Sequence, residues 1–138
     1  MILKDVGNAI KTQLQTISGL QIYSPTELRD SLILPAVIIL LGDVKYHETL
    51  DADSGEVSEV IFRIILAVIR ADLPSALSTL IDYIDTSNGS SIKAAIEADR
   101  TLSGTAGNCI ILENKGMGVF HWSGIPYLGT EFSLKVWA

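Results

Sequence analysis

The sequence predicts an α+β domain built on a mixed, mostly antiparallel sheet, and three observations point there. Two long stretches, 36–47 and 57–70, are continuously aliphatic or alternate, with a polar cluster at 48–56 between them. Apolar residues recur at spacings of three and four near the N-terminus and again in the middle of the chain. The last dozen residues alternate with a period of two. The implied order is a helix, a hairpin, two helices and an antiparallel meander, which groups helices and strands as α+β domains do. A length of 138 residues suits one domain spanning 1–138.

At the N-terminus, Ile2, Leu3, Val6, Ile10, Leu14 and Ile17 form the apolar stripe of an amphipathic helix that ends near Ser18 and Gly19. Gly7 and Asn8 lower helix propensity inside it. A brief extended piece at 20–23 precedes Ser24, Pro25 and a polar connector through Ser31. The stretches 36–47 and 57–70 then read as a long hairpin at the centre of the sheet, with a solvated tip projecting beyond the body. Within 61–69 both alternating sets are apolar apart from Arg63, the pattern of a strand buried on both faces, with helices as the covering layers.

Asp72 is placed to cap the next helix, with Pro74 in its first turn and Leu73, Leu77, Leu80, Ile81 and Ile84 as its inward stripe. Ser90 or Ser91 caps a second short helix that turns Ile92, Ala95 and Ile96 inward. Strands follow at 109–113, 118–122 and 127–137, the first two separated by a turn at Gly116 and Gly118. In the last strand Leu128, Phe132, Leu134 and Val136 share one face, and Glu131, Ser133 and Lys135 share the other, which reads as its wet side.

Composition narrows the function classes. The hydrophobic share is 48% and the mean hydropathy is +0.37. Such a chain either covers its sheet on both faces or hides apolar surface against copies of itself. The best stretch for a membrane span, 32–41, contains Pro35 and is half the length of the ~20 residues a bilayer helix needs. The opening residues, with Lys4 and Asp5, hold no extended apolar core of a secretory signal. A net charge of −6 without a basic stripe argues against sequence-specific nucleic-acid binding. One cysteine, Cys109, in an apolar run, rules out an intrachain disulfide and reads as a small core hydrophobe.

Residues for chemistry are sparse. Asp51, Asp53 and Glu56 begin like a calcium loop, but the sixth position holds Glu56 in place of glycine and the twelfth holds Phe62 in place of glutamate. His47 and His121 stand alone without the spaced Cys and His ligands of a zinc site. Cys109 has no base beside it, and no strained serine elbow is present. Asn88 and Ser90 match a glycosylation sequon, read more simply as the turn between two helices. No catalytic, cofactor-binding or metal-binding residue is therefore assigned, and an enzyme is not expected. The acidic tip residues Glu48, Asp51, Asp53 and Glu56 are assigned to contact with a neighbour. Trp122, Tyr127 and Trp137, aromatics on a terminal meander, are assigned to a subunit interface in preference to a ligand platform.

The last third of the chain carries a family likeness. A short helix with Ala95 and Asp99 leads into Thr101, Leu102 and Gly104, and later comes a closing strand with Tyr127, Leu128, Gly129, Glu131 and Phe132. This order resembles the bacteriophage tail terminators, also called tail completion or tail-to-head joining proteins. It departs from them in the insertion of Ser123, Gly124 and Ile125 and in Ser103, where many relatives carry glycine. The resemblance implies a virion structural protein of the neck, made in the host bacterial cytoplasm. It implies a hexameric ring that caps the tail tube, ends its polymerisation and joins the tail to the head. The implied partners are the tail tube protein, a head-closure or neck connector protein and, in a contractile tail, the sheath. DNA would pass through the lumen without sequence-specific binding, which an acidic lining favours by repelling phosphate. A head-closure protein of similar build is the near alternative. A small-ligand enzyme or regulator using His121, Glu131 and Tyr127, or a dimeric scaffold outside any virus, is the more distant one.

Overall fold

A computed structural model describes residues 1–46, 57–70 and 77–138, with Arg70 described in its backbone only. Among these residues the chain runs α1 (Leu3–Leu14), β1 (Gln21–Tyr23), β2 (Ala36–Lys45), β3 (Glu59–Arg70), α2 (Leu77–Ile84), α3 (Ile92–Glu97), β4 (Asn108–Trp122) and β5 (Ile125–Trp137). The strands form one sheet in the order β1-β2-β3-β5-β4, antiparallel throughout except that β1 pairs parallel with β2. The fold is α+β, and β3 lies at the centre as the aliphatic pattern requires.

All three helices pack on one face of the sheet. Val6, Ile10 and Leu14 of α1, Leu80 and Tyr83 of α2, and Ile92, Ala95 and Ile96 of α3 share one buried cluster with Val37, Ile39, Phe62, Ile64, Leu66, Phe132, Leu134 and Val136. Each fully buried side chain of this size contributes roughly 1.5–3 kcal/mol relative to exposure, so this layer supplies most of the apolar stabilisation. Gly7 belongs inside α1 because the Pro25 ring packs on it, with Cδ 3.0 Å from where a Cβ would stand.

Among the described residues no helix packs on the opposite face. Tyr23, Ala36, Ile38 and Ile65 form a second, smaller cluster there, joined by Leu32, Leu34, Leu40, Phe120 and Trp122. Its cover is the connector between β1 and β2, held by the Ile33 amide donating to the Tyr23 hydroxyl (3.1 Å) and by the Trp122 indole donating to the Arg29 carbonyl (2.6 Å). This corrects the expectation of helices on both sides. Both alternating sets of β3 are apolar because one faces the helices and the other faces a connector and an open sheet surface.

Three further expectations change. In α2 the inward residues are Leu80, Tyr83 and partly Ile84, while Leu77 and Ile81 are about half exposed, at 49% and 51%. Leu73, Asp72 and Pro74 lie outside the described residues. The glycines at 116 and 118 do not separate two strands. β4 runs unbroken past them, with register shifts between Ile111 and Glu113 and between Asn114 and Met117. Gly116 takes a φ of +82°, and its bulge is closed by Asn114 and Thr130: the Asn114 amide donates to Thr130 Oγ1, which donates to the Gly116 carbonyl, both at 2.8 Å. The reversal comes instead at Ser123 and Gly124, both at positive φ, a two-residue turn whose handedness matches the twist of the strands it joins. Finally, the polar side of β5 is not open to water, since Glu131 and Ser133 are buried beneath longer neighbours.

Candidate interaction surface

Alternation and register fix what the open face displays. Glu59, Ile61, Arg63, Ile65 and Ala67 of β3 stand opposite Trp137, Lys135, Ser133, Glu131 and Gly129 of β5, and directly opposite residues share a face. Diagonal neighbours then meet. Arg63 grips Glu131 through Nη2 to Oε1 at 2.8 Å and Nε to Oε2 at 3.3 Å, and Lys115 of β4 approaches the same carboxylate at 3.3 Å. Further along, Glu59 receives Lys135 at 2.7 Å and Lys45 of β2 at 3.8 Å, and the Lys135 ammonium sits 5.0 Å above the Trp137 ring.

Each buried carboxylate is thus flanked by two partly exposed cations. The Arg63 guanidinium and then the Lys115 ammonium hold the Glu131 carboxyl below the ordinary value of 4.5, overcoming the burial that pushes it up. Glu131 reciprocally raises Arg63. Lys45, Arg63, Lys115 and Lys135 offset Glu59 and Glu131, with Glu113 the exposed acid opposite Ser133. On the described strands this face sets those four cations against the three carboxylates Glu59, Glu113 and Glu131.

At the other end of the face a cavity of about 240 Å³ opens between the connector and the sheet. Leu32, Ile38, Ile65, Phe120, Trp122 and Tyr127 form its apolar walls, and Arg63 and His121 supply the polar ones. It is smaller than the roughly 300–1,000 Å³ of most small-molecule sites. Arg63 is committed to Glu131, and His121 is exposed. Of the aromatics expected to act together, Trp122 and buried Tyr127 share this cavity. Trp137 is ten residues along β5 from Tyr127, about 33 Å away at the rise of a strand. The tip residues Glu48, Asp51, Asp53 and Glu56, and His47, lie outside the described residues. No group of three His, Cys, Asp or Glu side chains among the described residues is arranged to hold a metal ion. Among them, too, no helix is long and apolar enough to cross a membrane.

The residues behind the family likeness prove to be scaffold. Asp99 accepts from the Thr101 amide (3.0 Å), the Thr101 hydroxyl (2.7 Å) and the Ser103 amide (3.0 Å), bonds that hold its carboxyl below the usual range. They brace a left-handed turn in which Leu102, Ser103 and Gly104 have φ of 50°, 59° and 81°. Leu102 is driven fully into the core by that turn. Gly129 is pressed against β3 where its register shifts between Ala67 and Ile69, and any Cβ there would collide with the Leu66 carbonyl oxygen. Phe132 fills the helix-covered core, and Glu131 anchors the open face.

No protein-family model matches this chain, and no curated protein matches its sequence.

Proposed function

We propose that this chain is a structural subunit of a phage neck, a tail terminator that closes into a ring of six, caps the tail tube and joins the tail to the head. One observation carries the reading: among the described residues one face of the sheet has no helical layer, yet it holds an apolar cavity and ordered charge clusters. A monomer gains nothing by leaving such a face open, whereas an assembling subunit needs one. The edge strand β4 adds exposed Leu112, Met117 and Val119, and α2 adds Leu77 and Ile81. The resemblance of the Asp99–Gly104 turn and the Tyr127 to Phe132 strand supplies the family; the acidic balance of the chain suits a lumen through which DNA slides.

The protein does its work by contact, on this reading, with DNA passing through and no bond made or broken. Electron microscopy of tails assembled in cells lacking the protein tests it. Tubes of uncontrolled length support a terminator. Tubes of normal length beside unclosed filled heads move the assignment to head closure, and normal particles remove the neck reading.

A further inference from the structure

We propose that Asn88 and Gly89, in the turn between α2 and α3, form a self-modification site: the Gly89 amide nitrogen attacks the Asn88 side chain, which loses ammonia and becomes aspartate or isoaspartate. Asparagine occurs at 8, 88, 108 and 114, and only Asn88 is followed by glycine. The turn favours this chemistry in three ways. Asn88 and Gly89 are exposed. A Cβ on Gly89 would meet nothing within 4 Å, and the Gly89 amide has no hydrogen-bond partner among the described residues, so the nucleophile is neither shielded nor tied up. The Ser90 amide donates to Asn88 Oδ1 at 2.8 Å, which draws charge onto the oxygen that becomes the oxyanion when Cγ is attacked.

The other asparagines are held differently. Asn8 lies inside α1. The Cys109 amide, the nucleophile that Asn108 would need, belongs to β4 and donates to Asn108 Oδ1 at 3.0 Å. In Asn114 the group that would leave, Nδ2, is fixed on Thr130 Oγ1 at 2.8 Å.

The reaction balances with water alone. Gly89 N bonds to Asn88 Cγ and gives its proton to solvent, while the bond from Cγ to Nδ2 breaks and Nδ2 takes up a proton and leaves as ammonia. Water then opens the cyclic imide. Opening at Cγ gives aspartate; opening at the main-chain carbonyl gives isoaspartate, whose main chain is one carbon longer. That second product reaches the core. The Ser91 amide donates to the Asn88 carbonyl at 3.2 Å, and Ser91 Oγ caps α3 by accepting from the Ala94 amide at 3.1 Å, so this turn places the helix that buries Ile92 and Ile96. An extra main-chain carbon between 88 and 89 displaces the cap.

The test ages the purified full chain at neutral pH and maps it by mass spectrometry, where the change adds about one mass unit. Asn88 is expected to convert ahead of Asn8, Asn108 and Asn114, and no more slowly than in a synthetic peptide of residues 85–91, which carries the motif without the held turn. Gly89→Ala puts its methyl in open space and should fold, yet convert about tenfold more slowly or worse. The isoaspartyl fraction should melt below fresh protein, whereas Asn88→Asp, which keeps the acceptor oxygen and the chain length, should melt as fresh protein does. Conversion about tenfold slower than in the peptide, earlier conversion of another asparagine, or an unchanged rate in Gly89→Ala would each overturn the site. An isoaspartyl fraction as stable as fresh protein would overturn its link to α3. None of these outcomes depends on the neck reading.

Discussion

Arg63 and Glu131 are joined by two hydrogen bonds across neighbouring strands, with the Glu131 side chain only 6% exposed and that of Arg63 47% exposed. The asymmetry decides what each substitution does. Removing Arg63 strands a buried negative charge that only Lys115 still answers, whereas removing Glu131 leaves a cation that water can reach. Arg63→Met is therefore expected to cost about 1–2 kcal/mol at neutral pH, discounted because the pair is half solvated. Because the folded protein holds Glu131 below 4.5, its contribution is present above that value and is lost as pH falls through the lowered folded value. Denaturant midpoints at pH 7 and pH 3 check this: the wild type should lose more on acidification than Arg63→Met does.

Gly129→Ala is expected to destabilise by about 3 kcal/mol or more, or to prevent folding. The added methyl meets backbone, the Leu66 carbonyl, and cannot be relieved by turning a side chain. Gly118→Ala, opposite it on β4 with open space around the new methyl, is the control and should fold. Thermal melts of the two distinguish a specific close approach from a general intolerance of β-substitution.

Ser103→Gly should stabilise the protein by about 0.5–1 kcal/mol. Serine is held at a φ of 59°, where L-residues are strained by roughly 1–2 kcal/mol, and glycine relieves this at some cost in unfolded-state entropy. The Asp99 bond to the amide at 103 survives the change. Leu102, at 50°, behaves oppositely: Leu102→Gly empties a fully buried site and should cost about 2–5 kcal/mol. A lower melting temperature for Ser103→Gly would contradict the account of this turn.

The Cys109 thiol should resist alkylation in the native protein and react freely on unfolding. Burial, with Glu97 next in effect, pushes it up to about 11 from 9.0, so almost no thiolate exists at neutral pH. The same shift favours the folded state below pH 9.0, an advantage lost as pH rises toward 11. Thiol titration with and without denaturant measures it.

The elements were legible where burial and period agree. The stripe of α1, the aliphatic runs of β2 and β3 and the alternation of β5 all appear in the sequence because a single core imposes them. The open face was not, for a physical reason. Ile65 and Ala67 are apolar because a connector and neighbouring strands cover them locally, and no pattern within β3 tells that cover from a helix. Arg63 was the sign. A cation inside the aliphatic run 61–69, four residues after Glu59 and matched by Glu131 and Lys135 on another strand, marks a face lined with ion pairs. The bulge at Gly116 imitated a turn, and the true turn at Ser123 and Gly124 passed for an insertion. In α2 the i, i+4 pair Leu77 and Ile81 looked inward by spacing alone, but the sheet beneath the helix admits only Leu80, Tyr83 and part of Ile84.

The most direct test of the neck assignment is cryo-electron microscopy of mature particles with this protein carrying a small fused label. The account expects a sixfold ring at the head-proximal end of the tail tube, with the labels around it and the open sheet face of each subunit covered by its neighbour. Particles without the label at that junction, or a ring found only on filled heads that lack tails, would contradict it.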